Sequence, residues 1–317
     1  STRVDASIDA DLEYRSYSLD TLDDETLRSL NAAGEVDIVE DRFSWELTDA
    51  YGQGIRDPFA GIGPGNREKV NVVGTAPRAD LPLGDRTSLE LRGTHSERRF
   101  DESTQVDSDS LLYELSLYRQ ISLTARVGIG ASTNEVEYVD VIAPKYRIDR
   151  LGLRYEKELA TGRVLADVGK NKISSGGFES DEPLYNFVWT RSLTARSELS
   201  LRAAREITDA GTSLGNAIVP GLEGSSFTDV VVAPNPFEQR RFGVSYVLTM
   251  SRTVVSAGLD SFKDEYIANG VYDNDWTAVH LSFVRTISPR LSFGVGYDKI
   301  DRDFTHAAGA QPDGRDN

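Results

Sequence analysis

From Val4 to Tyr14 the chain reads Val-Asp-Ala-Ser-Ile-Asp-Ala-Asp-Leu-Glu-Tyr, apolar and polar residues in strict alternation. Successive side chains of a strand point to opposite faces, so Val4, Ala6, Ile8, Ala10, Leu12 and Tyr14 share one face and Asp5, Ser7, Asp9, Asp11 and Glu13 the other. The run is also about as long as a tilted strand that crosses a bilayer.

The pattern recurs down the chain. Phe43, Trp45 and Leu47 share a face, as do Leu89, Leu91 and Gly93, then Leu111 to Leu117, then Leu123, Ala125, Val127 and Ile129. Tyr185, Phe187 and Trp189 form an aromatic face. Leu199 to Ala203, Phe242 to Leu248 and Leu291 to Tyr297 complete the clear segments. Weaker segments lie near 28–38, 70–80, 146–156, 163–171, 253–262 and 276–285, which gives fifteen strands.

The connections carry a second signal. Short links are expected at Val39–Arg42, Pro82–Arg86, Arg119–Ser122, Glu158–Gly162, Leu193–Ser197, Thr249–Arg252 and Thr286–Pro289. Long links are expected near 18–27, 52–69, 97–109, 133–145, 172–182, 207–236 and 264–275, in strict alternation with the short ones. Short periplasmic turns and longer extracellular loops are the rule in outer-membrane barrels. A soluble sandwich has no reason to keep that order. The short links also resemble one another: Arg119-Gln-Ile-Ser-Leu-Thr-Ala-Arg126, Arg191-Ser-Leu-Thr-Ala-Arg196 and Arg285-Thr-Ile-Ser-Pro-Arg290.

No stretch approaches the roughly 20 apolar residues of a membrane helix. A barrel escapes that requirement, because only alternate residues meet lipid. Lipid cannot satisfy backbone N–H and C=O groups, so a spanning sheet must close on itself. The expectation is an all-β fold: a transmembrane antiparallel up-and-down β-barrel in the outer membrane, forming a single domain over residues 1–317. The chain opens at Ser1-Thr2-Arg3 without a signal peptide and is read as processed or trimmed.

Composition removes other classes. There is no cysteine, hence no disulfide and no thiolate metal site. The formal charge is -16 and basic residues are not clustered, which argues against nucleic acid as a partner. His95, His280 and His306 are scattered without ligand spacing, with His280 expected on a lumen face. Asp107-Ser-Asp109 and Asp273-Asn-Asp275 have the oxygen ligands that suit calcium but lack the full loop, and are read as solvated loop tips. Gly61-Ile-Gly-Pro-Gly65 lacks the Lys-Ser/Thr of a phosphate loop, and no Gly-x-Ser-x-Gly elbow is present. No catalytic residues, cofactor or metal are expected, and the chain is read as not an enzyme. Tyr14, Tyr17, Trp45, Tyr51, Tyr113, Trp189, Tyr246, Trp276 and Tyr297 are read as interfacial aromatics.

Several stretches resemble the outer-membrane β-barrel proteins of PEP-CTERM/exosortase systems, of β-barrel porin type. They are Leu12-Glu-Tyr-Arg15, the segment Asn31 to Glu40, Asp57-Pro-Phe59 with Gly65-Asn66, and the run Phe100 to Ser110 containing Asp107-Ser-Asp-Ser110. The resemblance implies a role near exopolysaccharide assembly and export, with polysaccharide as substrate and periplasmic export partners. It also implies two leading strands and a closing one, about 16–18 strands in a complete chain. This chain instead ends in the polar tail Thr305–Asn317.

Two functions fit. One is a conduit for a hydrophilic solute, lined by Asp9, Glu13, Arg92, Glu114, Arg126, Arg154, Asp167, Arg202, Asp260 and Asp298, with Gly128, Gly130, Gly152, Gly294 and Gly296 leaving space beside them. Its charges are mixed in sign, so it is no simple arginine ladder for anions. The loop 207–236, rich in glycine, is expected to fold inward and narrow the path. The other is a non-conducting scaffold that anchors an envelope assembly. In either case the expected surroundings are outer-membrane lipid and lipopolysaccharide.

Overall fold

The computed structural model describes residues 3–16, 23–56, 64–102, 106–139, 144–209, 235–267, 270–288 and 291–305. Among these there are fifteen strands: β1 (Arg3–Arg15), β2 (Glu25–Val39), β3 (Phe43–Ile55), β4 (Arg67–Gly84), β5 (Thr87–Phe100), β6 (Ser108–Ser122), β7 (Ala125–Tyr138), β8 (Tyr146–Leu159), β9 (Gly162–Ser175), β10 (Phe178–Thr194), β11 (Ser197–Thr208), β12 (Phe237–Met250), β13 (Thr253–Tyr266), β14 (Asn274–Ser288) and β15 (Leu291–Phe304). They form one sheet in which each strand is hydrogen-bonded to the next in chain order, from β1 to β15. This is the up-and-down arrangement that the alternation of the sequence requires.

The chain divides into two compact units. The first comprises Ser1–Leu153, Gly169–Glu182 and Thr208–Pro234, and the second Arg154–Val168, Pro183–Ile207 and Asn235–Asn317.

In the first unit the antiparallel registers align the apolar residues into rows. Leu91, Leu115 and Ala131 lie abreast on β5, β6 and β7, with Leu89, Leu117 and Ile129 in the next row. In the second unit Tyr246, Ala257, Leu281 and Tyr297 form one row across β12 to β15, and Leu248, Val255, Phe283 and Val295 another. The side chains in these rows are half-exposed or exposed, Leu115 at 46% and Val295 at 56%, as are apolar residues of other strands such as Ile8 at 73% and Leu153 at 61%. Polar residues between them are often more shielded, the reverse of a water-soluble sheet. Such an exposed apolar surface is costly in water and satisfied in lipid. Trp45 shows how a polar handle is accommodated there: its indole N–H donates to Thr75 Oγ1 at 2.7 Å.

Strands of 12 to 18 residues exceed the roughly 9–11 needed to cross hydrocarbon. The surplus lies at the long-link end, where the apolar rows give way to ion pairs such as Lys69–Asp101 and Arg99–Asp109 in the first unit and Lys263–Glu265 in the second. Polar side chains at that end carry no hydrophobic period, so the sequence shows where lipid stops and not where the strands stop.

Five of the short turns are built alike. The carbonyl of the residue just before the next strand accepts an N–H from the strand beyond. Arg42 accepts from Asp80 at 2.8 Å, Arg86 from Gln120 at 2.7 Å, Thr161 from Ser192 at 2.7 Å, Arg196 from Thr249 at 2.6 Å and Arg252 from Thr286 at 2.8 Å. Four of the five accepting residues are arginines, and one of them, Arg196, belongs to the short links that look alike in sequence.

Three local expectations are corrected. The stretch 172–182 is not a long link: β9 and β10 run on to a two-residue turn, Gly176-Gly177, with φ of 53° and 93°. Both values lie where glycine pays no Cβ penalty, as a tight hairpin turn of primed type needs. The strict order of short and long links therefore breaks here. The turn placed at Arg119–Ser122 falls instead at Leu123-Thr124, so Leu123 is a turn residue at 96% exposure and not part of a strand face. Trp276 stacks on Phe262 at 3.7 Å, on the polar-face register of β14 alongside His280, and does not belong to the lipid-facing aromatics. Tyr17 lies outside the described residues.

Candidate functional site

The polar face is the surface on which chemistry can occur, and pairing register determines who meets whom on it. Glu46, Arg78, Asp80, Glu90, Arg92, Glu114 and Arg126 all fall on this face of β3 to β7. Arg92 donates to Glu46 at 2.5 Å, and Arg126 donates to Glu90 at 3.0 Å. Arg78 bonds Asp80 at 2.9 Å. Arg126 also lies over the Tyr118 ring at 4.0 Å. That ring fills the space at Gly128, where a Cβ would come within 2.7 Å of it. Gly128 therefore does not leave open lumen, as the sequence had led one to expect; it is the seat of a buried tyrosine. At Gly294 and Gly296 a Cβ would make only ordinary contacts.

Toward the long-link end of the first unit the polar face becomes closed. Arg98 on β5 donates to the Asp209 carboxylate at 3.1 Å, with both side chains about 5% exposed. Tyr138 and Tyr146 lie against this pair, their rings 6.2 Å apart, and Val136, Ile148, Asn171 and Ile173 are buried on the same unit's strands. A buried ion pair of this kind is strongly position-specific, since removing one partner strands the other charge. Asp209 follows β11 directly, so the start of the long link 207–236 is anchored to β5. The remainder of that link, through residue 234, lies outside the described residues.

In the second unit Arg154 donates to Asp167 at 2.7 Å. Arg241 donates to Asp260 at 3.2 Å, and Arg202 is held near both. His280 and Asp298 face each other across β14 and β15, with Nδ1 and Oδ1 2.5 Å apart.

The residues singled out from sequence thus separate into groups. Arg92 and Glu114 are cross-strand neighbours, Arg154 and Asp167 are bonded, and Arg202 and Asp260 share a locality. Arg126 pairs with Glu90, which was not singled out, and Asp298 with His280, which was expected on the lumen face. Asp9 and Glu13 sit on the polar face of β1. Glu46, Glu90, Arg98, Asp209 and Arg241 were missed. Extending the face parity along each strand finds Glu46, Glu90 and Arg98; nothing local marks Asp209.

The two acidic triplets have a plain structural role. Asp107 accepts the N–H of Phe100 at 2.7 Å, and Asp273 accepts the N–H of Tyr266 at 2.7 Å, each closing a link seven residues back. Asp109 is engaged by Arg99. Among the described residues no three His, Asp or Glu side chains gather as a metal would require. His95 lies beside Glu97 on the lipid-facing register of β5, and His306 falls outside the described residues.

No family model and no curated protein matches the chain. Solved structures do. The iron transporter FrpB of Neisseria meningitidis, F5-1 variant, aligns with a TM-score of 0.54 at 8% identity, over 95% of this chain and 59% of that one. Its apoprotein form gives 0.53 at 8% identity, over 94% and 56%. The F3-3 variant gives 0.51 at 9% identity, over 95% and 58%. The chain thus spans less than two thirds of these neighbours. At such identity the likeness is one of fold: an outer-membrane β-barrel. That fold and the exposed apolar rows agree on the outer membrane as its location.

Proposed function

We propose that the chain forms an outer-membrane passage for a hydrophilic solute, narrowed where Asp209 is fastened to Arg98. The observation that carries this reading is the polar face itself, which bears charged side chains from β1 to β15 in place of an apolar core. A barrel of about 16 or more strands is wide enough for an aqueous channel. The solute is left at the level of a hydrophilic molecule. Exopolysaccharide follows from the sequence resemblance alone, whereas the solved neighbours are named for iron transport.

The closed cluster around Arg98 favours a second reading, a barrel shut at one end that serves as an anchor. Conductance in planar bilayers separates the two. The chain is expected to conduct, and Arg98→Ala with Asp209→Ala together to raise conductance while the strands stay folded. A barrel that is silent with and without the double substitution makes the anchor the better reading. Loss of exported polysaccharide in a deletion strain, restored by the intact chain, would identify that solute.

A further inference from the structure

The look-alike short links that follow β6, β10 and β14 take no part in the polar face. Strand alternation places Arg119 in line with Leu111 to Leu117, Arg191 with Tyr185 to Trp189, and Arg285 with Leu281 and Phe283. All three arginines therefore stand on the lipid-facing register, at its short-turn end. Across the ladder Arg119 faces Thr87 and Val127, Arg191 faces Leu199, and Arg285 faces Thr253 and Phe293. None of these is acidic. The three side chains are exposed, and none has an ion pair among the described residues. Each lies on a strand with a hydrogen-bonded neighbour on both sides, so no sheet edge leaves it bare. Arg163, by contrast, sits on the polar-face register near a short turn and is held by Glu158 at 3.0 Å and Glu156 at 3.5 Å.

A second observation lies just beyond each arginine. The pairing slips between Gln120 and Ser122, between Ser192 and Thr194, and between Thr286 and Ser288. The residue left out at each slip is Ile121, Leu193 or Ile287, with exposures of 53%, 51% and 53%. A bulge removes one residue from the ladder and re-aims its side chain. Three hairpins thus end in the same device: an unpaired cation on the lipid side, then an exposed aliphatic side chain set free by a bulge. The slips at Ile38 and Leu83 carry the aliphatic without the strand arginine, so charge sets the three apart.

We propose that the ends of hairpins β6–β7, β10–β11 and β14–β15 each bind an anionic phospholipid, the arginine taking the headgroup phosphate and the bulged aliphatic lying against the upper acyl chain. Arginine suits that partner. Its planar fork meets two phosphate oxygens at once, and its stem lies along apolar surface such as Val127 or Phe293. The short turns are read as periplasmic, which puts these sites in the inner leaflet and makes phospholipid the source of the phosphate. The proposal needs only the outer-membrane location and is independent of whether the barrel conducts.

Trp189 lies two residues before Arg191 on the same face and reports on one of the sites. Trp45→Phe with Trp276→Phe leaves it the only tryptophan of the chain. This protein is folded into phosphatidylcholine vesicles holding increasing fractions of phosphatidylglycerol or phosphatidylcholine brominated on the acyl chains, which quench a tryptophan they touch. Phosphatidylglycerol is expected to associate about fivefold more strongly than phosphatidylcholine, the factor equivalent to about 1 kcal/mol per basic residue at an anionic surface. High salt is expected to weaken that preference in the unaltered site. Arg191→Gln is expected to abolish it. Arg163→Gln removes a cation that is already paired and leaves it unchanged. Gel mobility before and after heating reports that each variant is folded. Equal quenching by the two lipids, a preference insensitive to salt, or one that Arg191→Gln keeps overturns the proposal. Equal quenching would leave the arginines to an acidic protein partner.

Discussion

Leu115 and Ser116 are adjacent on β6, and an arginine at each asks opposite questions. Leu115 is 46% exposed and lies in the apolar row between Leu91 and Ala131. Ser116 faces the other way, opposite Glu90 and Gly130. If the apolar rows met water, replacing a half-exposed leucine with arginine would change stability by about 0.5 kcal/mol or less. Against the hydrocarbon midplane the same change costs about 2–4 kcal/mol. Ser116→Arg places its guanidinium beside Glu90 on the polar face, where the expected change is again about 0.5 kcal/mol or less. Urea unfolding of the chain in phospholipid vesicles, followed by tryptophan fluorescence, measures all three proteins on one scale. The reasoning fails if Leu115→Arg is as stable as the parent in vesicles, or if Ser116→Arg is destabilised as much as Leu115→Arg.

Other outcomes follow from single contacts. Removing either link-closing carboxylate, Asp107→Ala or Asp273→Ala, strands one backbone N–H and is expected to cost about 1–3 kcal/mol; hydrogen exchange at Phe100 or Tyr266 locates the loss. Cysteine in place of Gly65, where a side chain would meet open space, is expected to label on intact cells. Labelling only after the outer membrane is opened would reverse the assignment of the long links to the cell exterior.

Fold class and strand number were legible because lipid imposes a period of two wherever it touches the sheet. The clear runs, such as Leu111 to Leu117 and Phe242 to Leu248, are the stretches in the apolar rows. Legibility stops where the lipid stops. Around Lys172 and Glu179, which form an ion pair at 2.8 Å, the strands run on without any apolar period, so the sequence there reads as a loop. Trp276 was misplaced for a related reason, since aromatics serve both faces and only register tells them apart. The polar face was readable residue by residue but not as pairs. Arg92 and Glu46 are 46 positions apart, and Arg98 and Asp209 are 111 apart. Nothing in a single sequence records such separations.

The turn hydrogen bonds give the sheet a direction. Five short turns are clasped by the first strand of the hairpin that follows, among them the turn before β3 by β4, the turn before β5 by β6 and the turn before β11 by β12. A chain shortened by whole hairpins from its beginning leaves the surviving clasps intact. A chain that ends on β3, β5, β9, β11 or β13 leaves the carbonyl of its last short turn idle. Assembly that adds hairpins in synthesis order therefore locks each one as the next arrives, and the most recent addition is the loosest part of the growing sheet.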